Sequence, residues 1–129
     1  MAGTDVFGPD VRAAFSDIAN RAMGDGWYTM VVRGIFAGWL IAMMVWMLPA
    51  ADSSRPIIII CMTYLVSLGQ LPHVVAGSVE VLYLVAGKKL AWSTFLGHFL
   101  APTLIGNTIG GVSLVAFFNH AQVVTEESA

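Results

Sequence analysis

The apolar positions of this chain gather into long runs, and the polar residues between them mark where each run turns. The first long run, YTMVVRGIFAGWLIAMMVWMLPA at 28–50, holds one charge, Arg33, near its start. It exceeds the roughly 20 residues that cross a hydrocarbon core, so it predicts a spanning helix with the Arg33 side chain snorkelling towards head groups. The second run extends from Pro56 to Gly87 and is interrupted by GQLP at 69–72. It is too long for one straight crossing and predicts two half-helices meeting near mid-membrane. The third, from Trp92 to about Phe118, opens on WST, an interfacial aromatic plus a cap, and Pro102 predicts a bend within it.

Ahead of these runs, Pro9 and Asp10 open a shorter helix with Val11, Ala14, Phe15, Ile18 and Ala22 at three- and four-residue spacing. The pattern predicts an amphipathic helix on the membrane surface, ended by the turn at Gly24 to Gly26; a plain linker helix fits the same residues. The connections ADSSR at 51–55 and GKKLAW at 87–92 carry turn, cap and anchoring residues, and the tail VVTEESA reads as polar and frayed. The organisation expected is residues 1–27 as surface helix and linker, then 28–129 as a three-crossing transmembrane half-domain with a polar tail.

Composition fixes the class. Of 129 residues 57% are hydrophobic and 11% charged, and the mean hydropathy is +0.78. Such a chain cannot present an ordinary soluble surface, so the fold class is an all-α polytopic membrane protein. A formal charge of −2 with scattered Lys and Arg excludes a nucleic-acid stripe. The single Cys61 allows no internal disulfide and no metal or redox cluster, and reads as a small core hydrophobe. The N-terminus lacks the basic start and unbroken apolar core of a secretory signal. With no nucleophile beside a base and no metal-ligand spacing, the chain does not read as an enzyme, and no cofactor or metal is expected.

The interruption SLGQLPHVVAGSVE at 67–80 carries the candidate chemistry. An unpaired backbone group inside lipid costs several kcal/mol, so irregular backbone there survives only when buried in protein or lining a wet cavity. Gly69 permits strained dihedrals, Pro72 lacks an N–H, and a half-helix starting around Pro72 aims its positive dipole end at the break, where anions are attracted. His73 falls in the first turn of that half-helix, and Gly77 and Glu80 follow on one face. The candidate pore residues are therefore Gly69, Gln70, Leu71, Pro72, His73, Gly77 and Glu80. The blander readings are a His73 bonded to a backbone carbonyl and a Glu80 hydrated near an interface. His98 and His120 are explained by interfacial solvation. In GNTIGG, Gly106 and Gly110 form a small-xxx-small pair, Gly111 widens the flat face, and Asn107 reads as interhelical glue.

SLGQLPHVVAGSVEVLYLV, followed by PTLIGNTIGGVSLVAFFNHAQV, resembles the formate/nitrite transporter family and its YfdC-like inner-membrane branch. The match covers nearly the whole chain from about Arg12, but only the C-terminal half of a family member. The resemblance implies six membrane segments in two inverted three-helix repeats, an aquaporin-like plan with a broken helix in each repeat, assembled as a pentamer with one pore per protomer. On that plan 28–50 is like the fourth segment, 56–87 like the broken fifth and 92–118 like the sixth, with the IGNTIGG signature packing. The resemblance places the family's pore histidine on His73 and implies that this imidazole donates a proton to, or polarises, a small monovalent anion. A bare anion is costly in a dry constriction and its neutral acid is not, and an imidazole with an unperturbed pKa near 6.5 lends the proton at about neutral pH. Formate channels typically have Glu before this histidine and Asn four residues after it; here those positions are Pro72 and Gly77, with Glu80 as a substitute partner.

The reading is thus half of an inverted-repeat transporter in the inner membrane, multi-pass, moving a formate- or nitrite-like anion. The partners expected are the lipid bilayer, the anion, and a missing N-terminal half or second membrane chain, including a second copy paired antiparallel; the complete assembly is a homo-pentamer, and the chain a fragment. A non-conducting membrane subunit with an assembly or regulatory role is the alternative. Charges place Arg12, Arg21, Arg33, Lys88 and Lys89 on one side and Arg55 on the other, so a free-standing chain has a cytoplasmic N-terminus. The family plan implies the opposite orientation, with the C-terminal tail cytoplasmic.

Overall fold

Helix boundaries follow the proline and glycine punctuation. In the computed structural model, which describes residues 7–127 and side chains as far as Val123, all regular structure among the described residues is helical. The elements are α1 (Pro9–Ala22), α2 (Trp27–Met47), α3 (Arg55–Leu68), α4 (Val74–Ala86), α5 (Trp92–Thr94) and α6 (Ala101–Glu127). Pro9 occupies the first turn of α1, where its missing N–H has no partner to lose. Pro49 ends α2: the chain tightens into a 3-10 turn at Leu48–Ala50, followed by a second at Asp52–Ser54, where the Arg55 Nε donates to the Leu48 carbonyl at 3.1 Å.

Pro102 acts upstream of itself. Between α5 and α6 the chain forms a π-helical stretch at Phe95–Leu100. In an α-helix the Pro102 ring would press on the carbonyl four residues earlier, at His98, and the wider turn relieves that contact. The expected bend therefore takes the form of a widened turn. The tail expected to fray instead continues α6 as far as Glu127; Ser128 and Ala129 lie outside the described residues.

Two continuous helical segments, Trp27–Ala50 with mean hydropathy 1.9 and Trp92–Val123 with 1.5, are long and apolar enough to cross a membrane. They pack along each other through backbone contact. Gly106 lies against the Val31 carbonyl and Gly110 against the Ile35 carbonyl, while Gly38 lies against the Asn107 backbone. The spacing GIFAG at 34–38 is the counterpart of GNTIG at 106–110. The Trp39 Nε1 donates to the Ser113 Oγ at 2.8 Å, and the rings of Trp46 and Phe118 stack with centroids 5.4 Å apart. Gly111 is the exception in its motif: open space lies where a side chain would project.

The core sits at one end of the bundle, where Met30, Val81, Val85, Phe95 and Phe99 are buried together and Ala22 and Met23 pack against them. α1 docks on the last turns of α4 through the fully buried Ala19, an edge-to-face contact of Phe15 with Tyr83, and a 3.1 Å bond from the Lys89 Nζ to the Ser16 Oγ. Arg33 pairs with Asp25 of the α1–α2 turn at 2.6 Å, so its charge is met within the protein where snorkelling was expected. α3 contributes no buried residue, and Cys61, expected in the core, is exposed on it. α3 and α4, of 14 and 13 residues, are each about 20 Å long, short of a ~30 Å hydrocarbon core.

Candidate functional site: the helix break

The interruption expected at Gly69 to Pro72 is present, and its mechanism differs from the one the sequence suggested. At the end of α3 the Gln70 N–H bonds the Ser67 carbonyl at 3.0 Å and the Leu71 N–H bonds the Val66 carbonyl at 2.9 Å. This pair is a Schellman closure, whose pivotal residue is left-handed. That residue is Gln70, at φ 48°, while Gly69 is an ordinary right-handed residue at φ −75°. A side chain in this conformation costs about 1–2 kcal/mol. Gln70→Gly is therefore expected to stabilise the chain by about 1 kcal/mol in a denaturant titration; a lower midpoint would contradict a strained Gln70.

Leu71 precedes a proline and is excluded from the helical region by the Pro72 ring. The chain runs on to His73, which sits at φ −113°, ψ 125° as the N-cap of α4. His73 therefore stands just outside the helix whose first turn it was expected to occupy. α4 begins at Val74 because the first closing bond runs from the Gly77 N–H to the His73 carbonyl, at 2.8 Å.

Asn107 of α6 holds the break. Its Oδ1 accepts the Val74 N–H at 2.9 Å, and its Nδ2 donates to the Pro72 and Gly34 carbonyls, each at 3.0 Å. One carboxamide thus joins α2, the break, the start of α4 and α6. Among the described residues the N–H groups of Val75 and Ala76, next in the first turn, have no acceptor, so the positive end of α4 is open at the break. The half-buried His73 imidazole makes no hydrogen bond to the described residues, so no carbonyl among them holds it.

The expected strip of His73, Gly77 and Glu80 divides. Gly77 is buried beneath the Phe99 ring and packs α4 on the π-helical stretch. A Cβ at that position would strike the ring, which gives Gly77 a packing reason to be glycine. Glu80 is exposed and forms no ion pair among the described residues. Leu71, Pro72 and His73 are half-buried, while Gly69 and Gln70 are exposed. Among the described residues no cluster of His, Cys, Asp or Glu could hold a metal ion.

Residues 1–121 match the family model described as formate/nitrite transporter. The chain belongs to the formate/nitrite transporter family. It is 44% identical over 123 residues to the inner membrane protein YfdC of Escherichia coli (strain K12), a match covering 95% of this chain and 40% of that relative. The chain therefore spans well under half the length of the relative it matches. No solved structure matches it. His73 stands where helix geometry opens peptide N–H groups, and the IGNTIGG stretch at 105–111 supplies Asn107, the residue that holds the break together.

Proposed function

We propose that this chain forms the C-terminal, three-crossing half of a channel or carrier for a small monovalent anion of the formate or nitrite type. α2 makes one crossing, α3 and α4 together a broken second, and the segment from α5 through α6 a third. Aquaporin-like inverted pairing with another half, from a preceding segment, a second membrane chain or an antiparallel copy, completes the pore. The full assembly is a homo-pentamer in the inner membrane. The chain performs no chemistry of an enzyme, and no cofactor or metal enters the cycle.

The observation that carries this reading is the N-cap position of His73. His73 immediately precedes the first turn of α4, whose Val75 and Ala76 N–H groups have no acceptor among the described residues, and a helix end of this kind attracts an anion while the imidazole can offer it a hydrogen-bond donor. The break is tethered to α6 and α2 by Asn107, so the donor array is preorganised. Desolvation of a bare anion is the main barrier to crossing, and a donor that can also lend a proton lowers it.

The test is flux of formate and nitrite into proteoliposomes bearing the complete assembly. Saturable uptake supports the proposal, and its absence, with the assembly intact, points to a non-conducting subunit. On this proposal Glu80, a carboxylate two turns into α4 with no ion pair among the described residues, acts as a second proton-exchanging group. Glu80→Gln is expected to change the dependence of uptake on pH, and an unaltered profile would take Glu80 out of the mechanism.

A further inference from the structure

We infer that Asn107 is the positioning residue for the His73 imidazole, and that the two α2 glycines Gly34 and Gly38 form the socket that allows it. The inference rests on the transport reading for its purpose, although its geometry stands alone. The carbonyl of Pro72 and the N–H of Val74 are the peptide groups on either side of His73, and one carboxamide binds both, at 3.0 and 2.9 Å. The His73 backbone is thereby held from front and back, and the direction of its Cα–Cβ bond follows.

The third bond gives the clamp a fixed base. A primary amide has two N–H donors; one goes to Pro72 and the other to the Gly34 carbonyl, at 3.0 Å, on a helix packed against α6 over its length. Both donors are used, so the amide is fixed in rotation as well as in place. Room for it comes from α2. A Cβ on Gly34 would stand 3.3 Å from the Asn107 Nδ2, and one on Gly38 would collide with the Asn107 backbone. The histidine's geometry is thus set by a residue on α6 that bonds the peptide groups flanking it, through a socket on α2 that lies nearly forty positions away in the chain.

Two variants separate this role from general packing. Asn107→Asp keeps the acceptor for Val74 but sets a carboxylate oxygen against the Pro72 and Gly34 carbonyls. Gly34→Ala removes no polar group and displaces the carboxamide. The readout is the set of ring 15N resonances of the three histidines in the full chain in detergent micelles, with His73 assigned by its loss in His73→Phe. Both variants are expected to move the His73 resonances by more than a linewidth and to leave those of His98 and His120 in place. In the unaltered chain the Val74 amide is expected to exchange with solvent more slowly than those of Val75 and Ala76, by on the order of tenfold or more. Unmoved His73 resonances in a folded variant would overturn the inference, as would a Val74 amide exchanging as fast as its neighbours. If neither variant folds, the exchange measurement on the unaltered chain decides. Should the ring resonances move while His73→Phe leaves flux intact, the clamp stands and the transport reading falls.

Discussion

Replacing His73 with phenylalanine is expected to reduce anion flux about a hundredfold while leaving the helices and their thermal unfolding nearly unchanged. The imidazole makes no hydrogen bond to the described residues, so its removal breaks no polar contact among them. What is lost, on the proposed route, is a hydrogen-bond donor to the anion. Net hydrogen bonds to charged groups are worth about 1.5–3 kcal/mol, and each 1.36 kcal/mol is tenfold in rate, which gives the expected range of roughly ten- to a hundredfold and more where desolvation is severe. In the unaltered assembly, flux should fall as pH rises through the imidazole titration, because the transferable proton is then gone. Proteoliposome uptake measured against external pH checks both statements. Equal flux in the variant at every pH would exclude His73 from the route.

The second large effect is structural. Gly110→Leu is expected to cost about 3 kcal/mol or more, read as a lower midpoint in thermal or denaturant unfolding in detergent. A side chain there would strike the Ile35 carbonyl, a backbone atom that cannot swing aside, so α2 and α6 would have to separate along their length. Between apolar helices in lipid that close packing is a main source of association, since the surrounding tails are as apolar as the helices. Gly111→Leu, one residue further on, projects into open space and is expected to change the midpoint little. If the two variants unfolded alike, α2 and α6 would not be in the register described.

Much of this was legible in the amino-acid order, and the misses share a cause. Apolar runs and prolines located the helices, because hydrophobic length and missing N–H groups act locally. The break was legible for the same reason. Its internal conformation was not: Gly69 was the residue expected to take unusual dihedrals, yet the Schellman closure places the left-handed turn one residue later, on Gln70. Spacing grouped Gly77 with His73, but the partner that buries it, Phe99, is reached only through the fold. Asn107 was recognised as glue, while what it joins lies on three other elements. The signal that could have placed it was GIFAG at 34–38, a small-residue pair on α2 with the same spacing as the pair flanking Asn107. Arg33, expected to snorkel towards head groups, instead meets Asp25 at 2.6 Å across the α1–α2 turn.

One feature of the bundle limits how its sequence can vary. α3 contributes no residue to the core, and its Ile57, Ile59, Ile60, Tyr64, Leu65 and Leu68 are all exposed. A helix in that situation is selected by its solvent and not by its neighbours: within this chain, exchanges among Ile, Leu, Val and Phe along its outer rows meet no steric objection. Any of these exposed positions that resists such exchange in the proposed assembly therefore reports a contact made from outside, and a saturation scan of this outer face would trace the footprint of whatever lies against it.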